Sequence, residues 1–234
     1  MLSQSLQRHK IRLGRDRFFN LLAENGMLVR KRKRKKVQTT DSNHPFKKYP
    51  NLIKDLNIDQ ANQVWVSDIT YLPLVGSRFC YLSLITDAYS RKIVGYCLYP
   101  SLAAEGPIEA LKMALASIKT PANYSLIHHS DRGSQYCSKS YIEILDGDKV
   151  CISMAEKGNP YENAIAERVN GILKSEFGLD RLFKNYEAAA AVVAEAIHIY
   201  NEQRPHASCD YLTPNQAHEK QGKLTRRWQK KTKK

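Results

Sequence analysis

The central part of the chain begins with short apolar runs. Residues 63–74, 78–87 and 92–99 are rich in Val, Ile, Leu, Tyr and Trp, and turn-forming residues at 75–77 and 87–91 separate them. Runs of this length and composition are typical of β-strands joined by tight turns. The pattern therefore predicts three consecutive antiparallel strands.

Helical periodicity follows these strands. Amphipathic stretches predict helices at 104–119, 138–146, 162–177 and 186–202. Two further apolar runs between the helices, at 125–130 and 149–153, predict a fourth and a fifth strand. Strands and helices in this order predict an α/β fold, with a five-stranded mixed sheet flanked by helices.

The two ends of the chain differ from this central region. Residues 1–36 predict a short, basic helical segment, and residues 37–59 a polar linker that contains two prolines. A basic tail occupies 221–234. Because 234 residues suffice for one substantial domain with its own core, we assign that domain to 60–220.

Positive charge is concentrated in two short segments. The formal net charge of the chain is +14. The stretch 220–234 contains eight cations and no acid, and seven consecutive basic residues are Arg30, Lys31, Arg32, Lys33, Arg34, Lys35 and Lys36. Such clusters are typical of segments that contact nucleic-acid phosphates. An anionic membrane surface or a merely solubilising role are the alternatives.

Cysteine usage and hydropathy narrow the expected location. The five cysteines are widely spaced without a Cys-x-x-Cys pair, which argues against a disulfide framework and a structural zinc site. No stretch approaches about 18 consecutive apolar residues, and the first thirty residues contain no apolar signal-peptide core. We therefore expect a cytoplasmic protein with access to DNA and no membrane contact.

Three acidic residues are candidates for one shared site. Asp68 interrupts the first strand, Asp131 ends the fourth strand beside Gly133, and Glu167 lies on a predicted helix. Each has a simpler explanation by itself: a hydrogen-bonded buried aspartate, a turn cap and a solvent-exposed helix residue. Three carboxylates that converge would instead bind divalent metal for phosphodiester chemistry.

Other acids compete for these roles. Glu156 and Glu162 are close enough in sequence to replace Glu167, and Asp87 could replace Asp68. Asp87 also fits the end of a hairpin, and Glu162 fits a helix start, where a carboxylate complements the helix dipole.

The predicted helix at 162–177 has two distinct faces. Its apolar stripe consists of Ile165, Val169, Ile172 and Leu173. Its other face carries Asn163, Glu167, Asn170 and Lys174. Because Lys174 follows Glu167 by nearly two helical turns, their side chains project to the same side.

Five segments resemble one protein family. Their sequences are WVSDITY at 65–71, DAYSRKIVG at 87–95, HSDRGSQY at 129–136, GNPYENA at 158–164 and YNEQRPH at 200–206. In this order and spacing they are similar to the second-frame (OrfB) transposases of bacterial insertion sequences of the IS-three type. The resemblance covers about 60–220 of the chain.

The resemblance implies a retroviral-integrase-like, ribonuclease-H-type fold with a DDE catalytic site. It implies that the metal-binding catalytic carboxylates are Asp68, Asp131 and Glu167, and that Lys174 contacts DNA. The implied cofactor is Mg²⁺, as two ions for which Mn²⁺ can substitute. It further implies that residues 1–36 are the remnant of a helix-turn-helix DNA-binding region.

The implied activity is cleavage of element ends and transfer of their 3′ hydroxyls into DNA. The implied partners are terminal inverted repeats, target DNA, further copies of the chain and an upstream first-frame protein, all in the bacterial cytosol at the nucleoid. Two alternatives stay open. The short helical sequence before residue 14 favours a truncated, catalytically silent DNA-binding remnant, and the acidic triad also suits a nuclease that only hydrolyses.

Overall fold

The computed structural model describes most of the predicted core. The described residues are 13–28, 44–118, 126–156, 163–225 and 227. The basic run at 30–36, the loop predicted near Gly158, Glu162 and the final residues of the tail lie outside them. Within the described ranges, no helix has the length and apolar character needed to cross a membrane.

A five-stranded mixed sheet forms the centre of the fold. Its strands are β1 Val64–Leu74, β2 Arg78–Asp87, β3 Ile93–Tyr99, β4 Ile127–Ser130 and β5 Cys151–Met154. They are ordered β3-β2-β1-β4-β5. The central strand β1 pairs antiparallel with β2 and parallel with β4. The predicted five strands and mixed sheet are therefore confirmed, although β4 begins two residues later than predicted.

Six helices accompany the sheet in the part of the chain that is described. They are α1 Arg15–Glu24, α2 Glu105–Ala116, α3 Lys139–Gly147, α4 Ala164–Glu176, α5 Tyr186–Gln203 and α6 Pro214–His218. The short α6 was not predicted; Thr213 begins it with a capping box. None of the residues of α1 is buried, so its apolar positions do not pack on the core.

Helices cover both faces of the sheet. On one face, α4 and α5 pack against a cluster that includes Leu72 and Leu82. On the other face, α2 and α3 pack against a cluster that includes Trp65 and Ile85. Because β1 is covered on both sides, a carboxylate in this strand is costly unless hydrogen bonds or a cation compensate it.

Two of the family-like segments have structural roles. Gly95 lies under α2, where an added Cβ would approach the Cβ of Ala114 to 2.9 Å, so the helix could not pack as closely on β3. Asn201 exchanges two hydrogen bonds of 3.0 Å with the backbone of Ile93, which fastens α5 to β3. These residues fasten α2 and α5 to the sheet that carries the candidate site.

Candidate active site

The end of β4 meets the middle of β1. In their parallel register Val66 pairs with His129, and Asp68 and Asp131 stand two residues further along. The same register therefore places Asp131, the first residue after β4, level with Asp68. Both carboxylates are half-buried. The carboxyl ends of parallel strands are a common position for ligand-binding groups in α/β folds.

Asp68 is held by two donors and lies beside a like charge. Its Oδ1 accepts the backbone N–H of Ile69 at 2.9 Å, and its Oδ2 accepts the side-chain amide of Asn170 at 2.7 Å. Burial first, and the nearby Asp131 carboxylate second, raise the pKa of Asp68 to about 7, despite these hydrogen bonds. A bound cation would therefore favour its ionised form.

A tight turn orients Asp131. Its Oδ1 accepts the backbone N–H of Gly133 at 2.9 Å. A Cβ at position 133 would lie 3.0 Å from that Oδ1 and 3.1 Å from Oε1 of Gln135, so glycine allows the close approach. The turn-capping interpretation of Asp131 and its position beside Asp68 are thus compatible.

Glu167 reaches the same region from a helix. It lies in the first turn of α4, where its backbone N–H donates to the carbonyl of Asn163 at 3.1 Å. The side chain is exposed, although partial burial of the carboxyl raises its pKa. Its charge contributes to the raised pKa of Asp68, but less than Asp131 does. The three sequence-predicted acids therefore share one electrostatic environment.

Two amide side chains fasten α4 to β1. Asn163 donates to the carbonyl of Ser67 at 3.0 Å, and Asn170 donates to the Asp68 carboxylate. Both asparagines are buried. The sequence placed them on the Glu167 face of the helix without assigning a role. The tertiary contact shows that Asn170 connects the strand that carries Asp68 with the helix that carries Glu167.

Substitution of Asn170 tests whether its hydrogen bond positions the Asp68 carboxylate for metal binding. We expect Asn170→Ala to raise the Mg²⁺ concentration needed for half-maximal thermal stabilisation by about tenfold, because an oriented carboxylate loses its supporting donor. Thermal unfolding over a Mg²⁺ titration measures the effect. Asn163→Ala is the control, since it removes an amide that ties α4 to β1 without touching a carboxylate. An equal shift in both variants would contradict a positioning role specific to Asn170.

Lys174 lies two turns after Glu167. Its Nζ stands 4.3 Å from the centroid of the Tyr71 ring, an arrangement typical of a cation–π contact. The ring of Phe79 packs edge-on against the ring of Tyr71, with centroids 5.3 Å apart. The contact holds the lysine near β1, on the side of α4 from which Asn170 reaches Asp68.

The rival acids are placed differently. Asp87 is fully buried at the end of β2, where its carboxylate accepts hydrogen bonds of 2.7 Å from the backbone N–H of Asn62 and from both N–H and Oγ of Ser90. These bonds match the hairpin-end interpretation. Glu156 is exposed after β5, and Glu162 lies outside the described residues.

Two adjacent histidines beneath the site are structural. Nε2 of His128 lies 2.6 Å from Oγ of Ser67 and 2.8 Å from the hydroxyl of Tyr141. Burial lowers the pKa of His128 to about 3, so the ring is neutral. His129 instead contacts Ser153, through Nδ1 and Oγ at 2.8 Å. The paired histidines serve different faces of the sheet.

The donor chemistry of the site suits a hard divalent cation. Carboxylate oxygens are the ligands that Mg²⁺ prefers, and the repulsion between Asp68 and Asp131 is a situation that such a cation relieves. Among the residues that the structure describes, no three acidic, histidine or cysteine side chains are gathered closely enough to form a ready-made metal cage.

The chain is similar to known proteins both in sequence and in structure. Two family profiles, both described as Integrase core domain, match residues 58–160 and 148–214. An insertion element IS600 protein of 31 kDa from Shigella sonnei is 40% identical over 221 residues, which cover 94% of this chain and 80% of that protein. The transposase InsF of insertion sequence IS3A from Escherichia coli is 37% identical over 166 residues, covering 70% of this chain and 57% of InsF.

Solved structures show the same fold. A chain of the simian T-cell lymphotropic virus intasome superposes with a TM-score of 0.59 at 19% identity, covering 76% of this chain and 62% of that one. The HTLV-2 integrase catalytic core domain, solved in complex with magnesium, gives 0.54 at 18% identity, covering 68% and 98%. The five-stranded sheet and its helices thus form the ribonuclease-H-like fold of retroviral integrase cores. Taken with the sequence matches, they show that the chain belongs to the integrase-core transposases of IS3-type insertion sequences.

Proposed function

We propose that this transposase cleaves the ends of its element and joins the freed 3′ hydroxyls to DNA by metal-dependent transesterification at Asp68, Asp131 and Glu167. One observation carries the proposal: Asp68 and Asp131 stand level at adjoining parallel strands, and Asn170 bonds Asp68 to the helix of Glu167. This arrangement supports the proposal that the three acids of the sequence prediction act in one site.

Magnesium is the cofactor that we propose, as two ions, with Mn²⁺ as a substitute. Asp68, Asp131 and Glu167 would hold the metal through carboxylate oxygens. Bound there, the metal would supply a lowered pKa for the attacking water or 3′ hydroxyl and stabilise charge on the phosphate. The magnesium bound to the HTLV-2 integrase core supports this choice.

The chain's own residues would orient the reactants. Asn170 holds the Asp68 carboxylate in place, and the burial of β1 limits water around that carboxylate. We propose that Lys174 contacts a DNA phosphate next to the reacting one, because it lies on the Glu167 side of α4. The cations of residues 30–36 and of the basic tail would hold more distant phosphates.

The DNA partners in this proposal are the terminal inverted repeats and a target duplex. We further propose that several copies of the chain act together on the two element ends, as the intasome assembly of a structural relative suggests. Participation of an upstream first-frame protein belongs to the same proposal. We place the activity in the bacterial cytosol, at the nucleoid.

A labelled duplex that carries the inverted repeat flanking the gene tests the proposal. The full chain is expected to give nicked and then joined products with Mg²⁺ or Mn²⁺, and none with EDTA. Nicked product without joined product would identify a nuclease that only hydrolyses. Binding of the duplex with no product in either metal would favour the catalytically silent remnant.

A further inference from the structure

A groove lies along α4, on the flank that faces away from Asp68. It consists of two adjoining cavities, of about 540 and 620 Å³, which share Arg91, Ile165 and Ser208. Arg168 lines the first cavity and lies two positions before Asn170, which corresponds to about 200° around the helix. Since Asn170 points to Asp68, Arg168 points away from Asp68, and it lies about 100° around the helix from Glu167. We call this feature the flank groove.

The first cavity of the flank groove gathers cationic side chains. Arg91, Arg168 and Arg204 line it together with His206. Burial, and then the charges of these three arginines, lower the pKa of His206 to about 3, so the histidine adds no charge of its own. Such a cluster repels cations and favours an anion.

Two of the arginines are also engaged within the protein. Arg204 forms a bidentate pair with Glu176, with N–O distances of 2.7 and 2.8 Å, which offsets its charge. The guanidinium of Arg91 donates to the carbonyl of Ala88. Arg168 is exposed and pairs with no carboxylate among the described residues. Arg168 is therefore the cation best placed to meet a ligand.

The basic tail begins at the rim of the same groove. The backbone N–H of Arg227 donates to the carbonyl of Ala207, a residue that lines the first cavity, at 2.7 Å. Lys223 and Thr225, at the start of the tail, line the second cavity. The sequence 220–234 contains eight cations and no acid, and Lys223, within its described part, lines the groove.

Apolar side chains form part of the groove wall. Ile165, Val169 and Ile172 line the first cavity beside the arginines. A nucleic-acid strand presents this combination to a protein, because anionic phosphates alternate with apolar sugar and base faces. The acid-free run of eight cations in the sequence 220–234 further favours a polyanion such as nucleic acid.

We propose that the flank groove binds the phosphodiester backbone of a DNA molecule other than the one held at the acidic triad. The inference rests on the proposed function, since an enzyme that joins two DNA molecules must hold both. Arg168 and Asn170 project to opposite sides of α4, so DNA in the groove and DNA at Asp68 would contact different sides of this helix.

Binding of a dye-labelled duplex of arbitrary sequence by the full chain, measured in EDTA over a series of salt concentrations, tests the inference apart from catalysis. Arg168→Gln is expected to weaken binding about fivefold near 0.1 M salt, and to reduce the slope of log affinity against log salt by about 1. Arg168→Glu is expected to weaken it further. Lys112→Gln, which removes one exposed charge from α2 on the other face of the sheet, is the control.

A gain-of-function variant keeps the test decisive if Arg168 variants fold poorly. Ala164 is exposed and lines the same cavity, so Ala164→Arg is expected to tighten binding and steepen the salt dependence. Equal effects of Arg168→Gln and Lys112→Gln, or no gain from Ala164→Arg, would overturn the inference. So would unchanged DNA binding with reduced self-association of Arg168→Glu in sedimentation, which would identify a protein interface. None of these outcomes depends on whether the triad catalyses joining.

Discussion

Glu167→Gln is expected to lower the yield of joined DNA product by about a thousandfold, with no change in Tm. Glutamine keeps the length and shape of the side chain but removes the negative charge that would hold metal. Because Glu167 is exposed in the first turn of α4, its charge contributes little to folding. Quantified strand transfer with Mg²⁺ measures the first quantity, and thermal unfolding of the same protein in EDTA measures the second.

Glu156→Gln is the matched control for this prediction. Glu156 is also exposed and lies near the carboxyl end of β5, so the substitution removes the same charge close to the site. We expect it to retain activity within about twofold, as is usual for a surface change. Full activity of Glu167→Gln combined with an inactive Glu156→Gln would transfer the third catalytic position to Glu156.

Asp68→Asn is expected to abolish joining and yet to stabilise the metal-free protein at pH 8. Folding raises the pKa of Asp68 from 3.8 to about 7, so the folded state retains a proton that the unfolded chain has lost. The contribution of Asp68 to stability is therefore most favourable below pH 3.8, falls as pH rises through this window, and is least favourable above about pH 7. Asparagine resembles the protonated carboxyl and avoids this loss.

The size of that effect follows from the same shift. A change of this magnitude would correspond to about 4 kcal/mol, and water at the half-buried carboxylate reduces our expectation to about 2 kcal/mol. The amide of Asn170 can turn to accept from the new asparagine, since its Oδ1 has no described partner. Denaturant unfolding of both proteins at pH 8 in EDTA measures the difference.

Two comparisons make the Asp68 prediction specific. Mg²⁺ is expected to raise the Tm of the wild-type protein and to leave that of Asp68→Asn nearly unchanged, because the variant lacks one of the three proposed metal-binding carboxylates. Asp87→Asn is expected to destabilise by about 1 to 3 kcal/mol, since Asp87 accepts three hydrogen bonds in a fully buried position. A less stable Asp68→Asn protein at pH 8 would contradict the electrostatic account.

Local patterns were sufficient to predict the elements around the site. The apolar run of β1 and the periodicity of α4 are properties of neighbouring residues, and both elements occur where predicted. The polar interruption at Asp68 was visible for the same reason. Residues that act through a single tertiary contact could not be recognised from the sequence pattern. Asn170 gained its role only when α4 docked on β1, because the sequence contains no signal for that docking angle.

The ends of helices and the flank groove illustrate the same limit. The short helix α6 depends on a capping box and on packing of Ala217, which a search for apolar periodicity over many residues does not detect. Arg91, Arg168 and Arg204 come from three separate elements, so their convergence is a consequence of topology. Periodicity alone left other acids as candidates for the catalytic positions. Only the resemblance to a known family pointed to Asp68, Asp131 and Glu167.

The three acids are carried by parts of the fold that open with different ease. Asp68 stands on the central strand, which can separate from its neighbours only when the whole sheet unfolds. Asp131 follows a strand of four residues, and Glu167 lies near the first turn of a helix, where fraying begins. Local opening at that helix end can disassemble the site while the core stays folded. Activity would thus be lost at milder temperatures or denaturant concentrations than the fold itself.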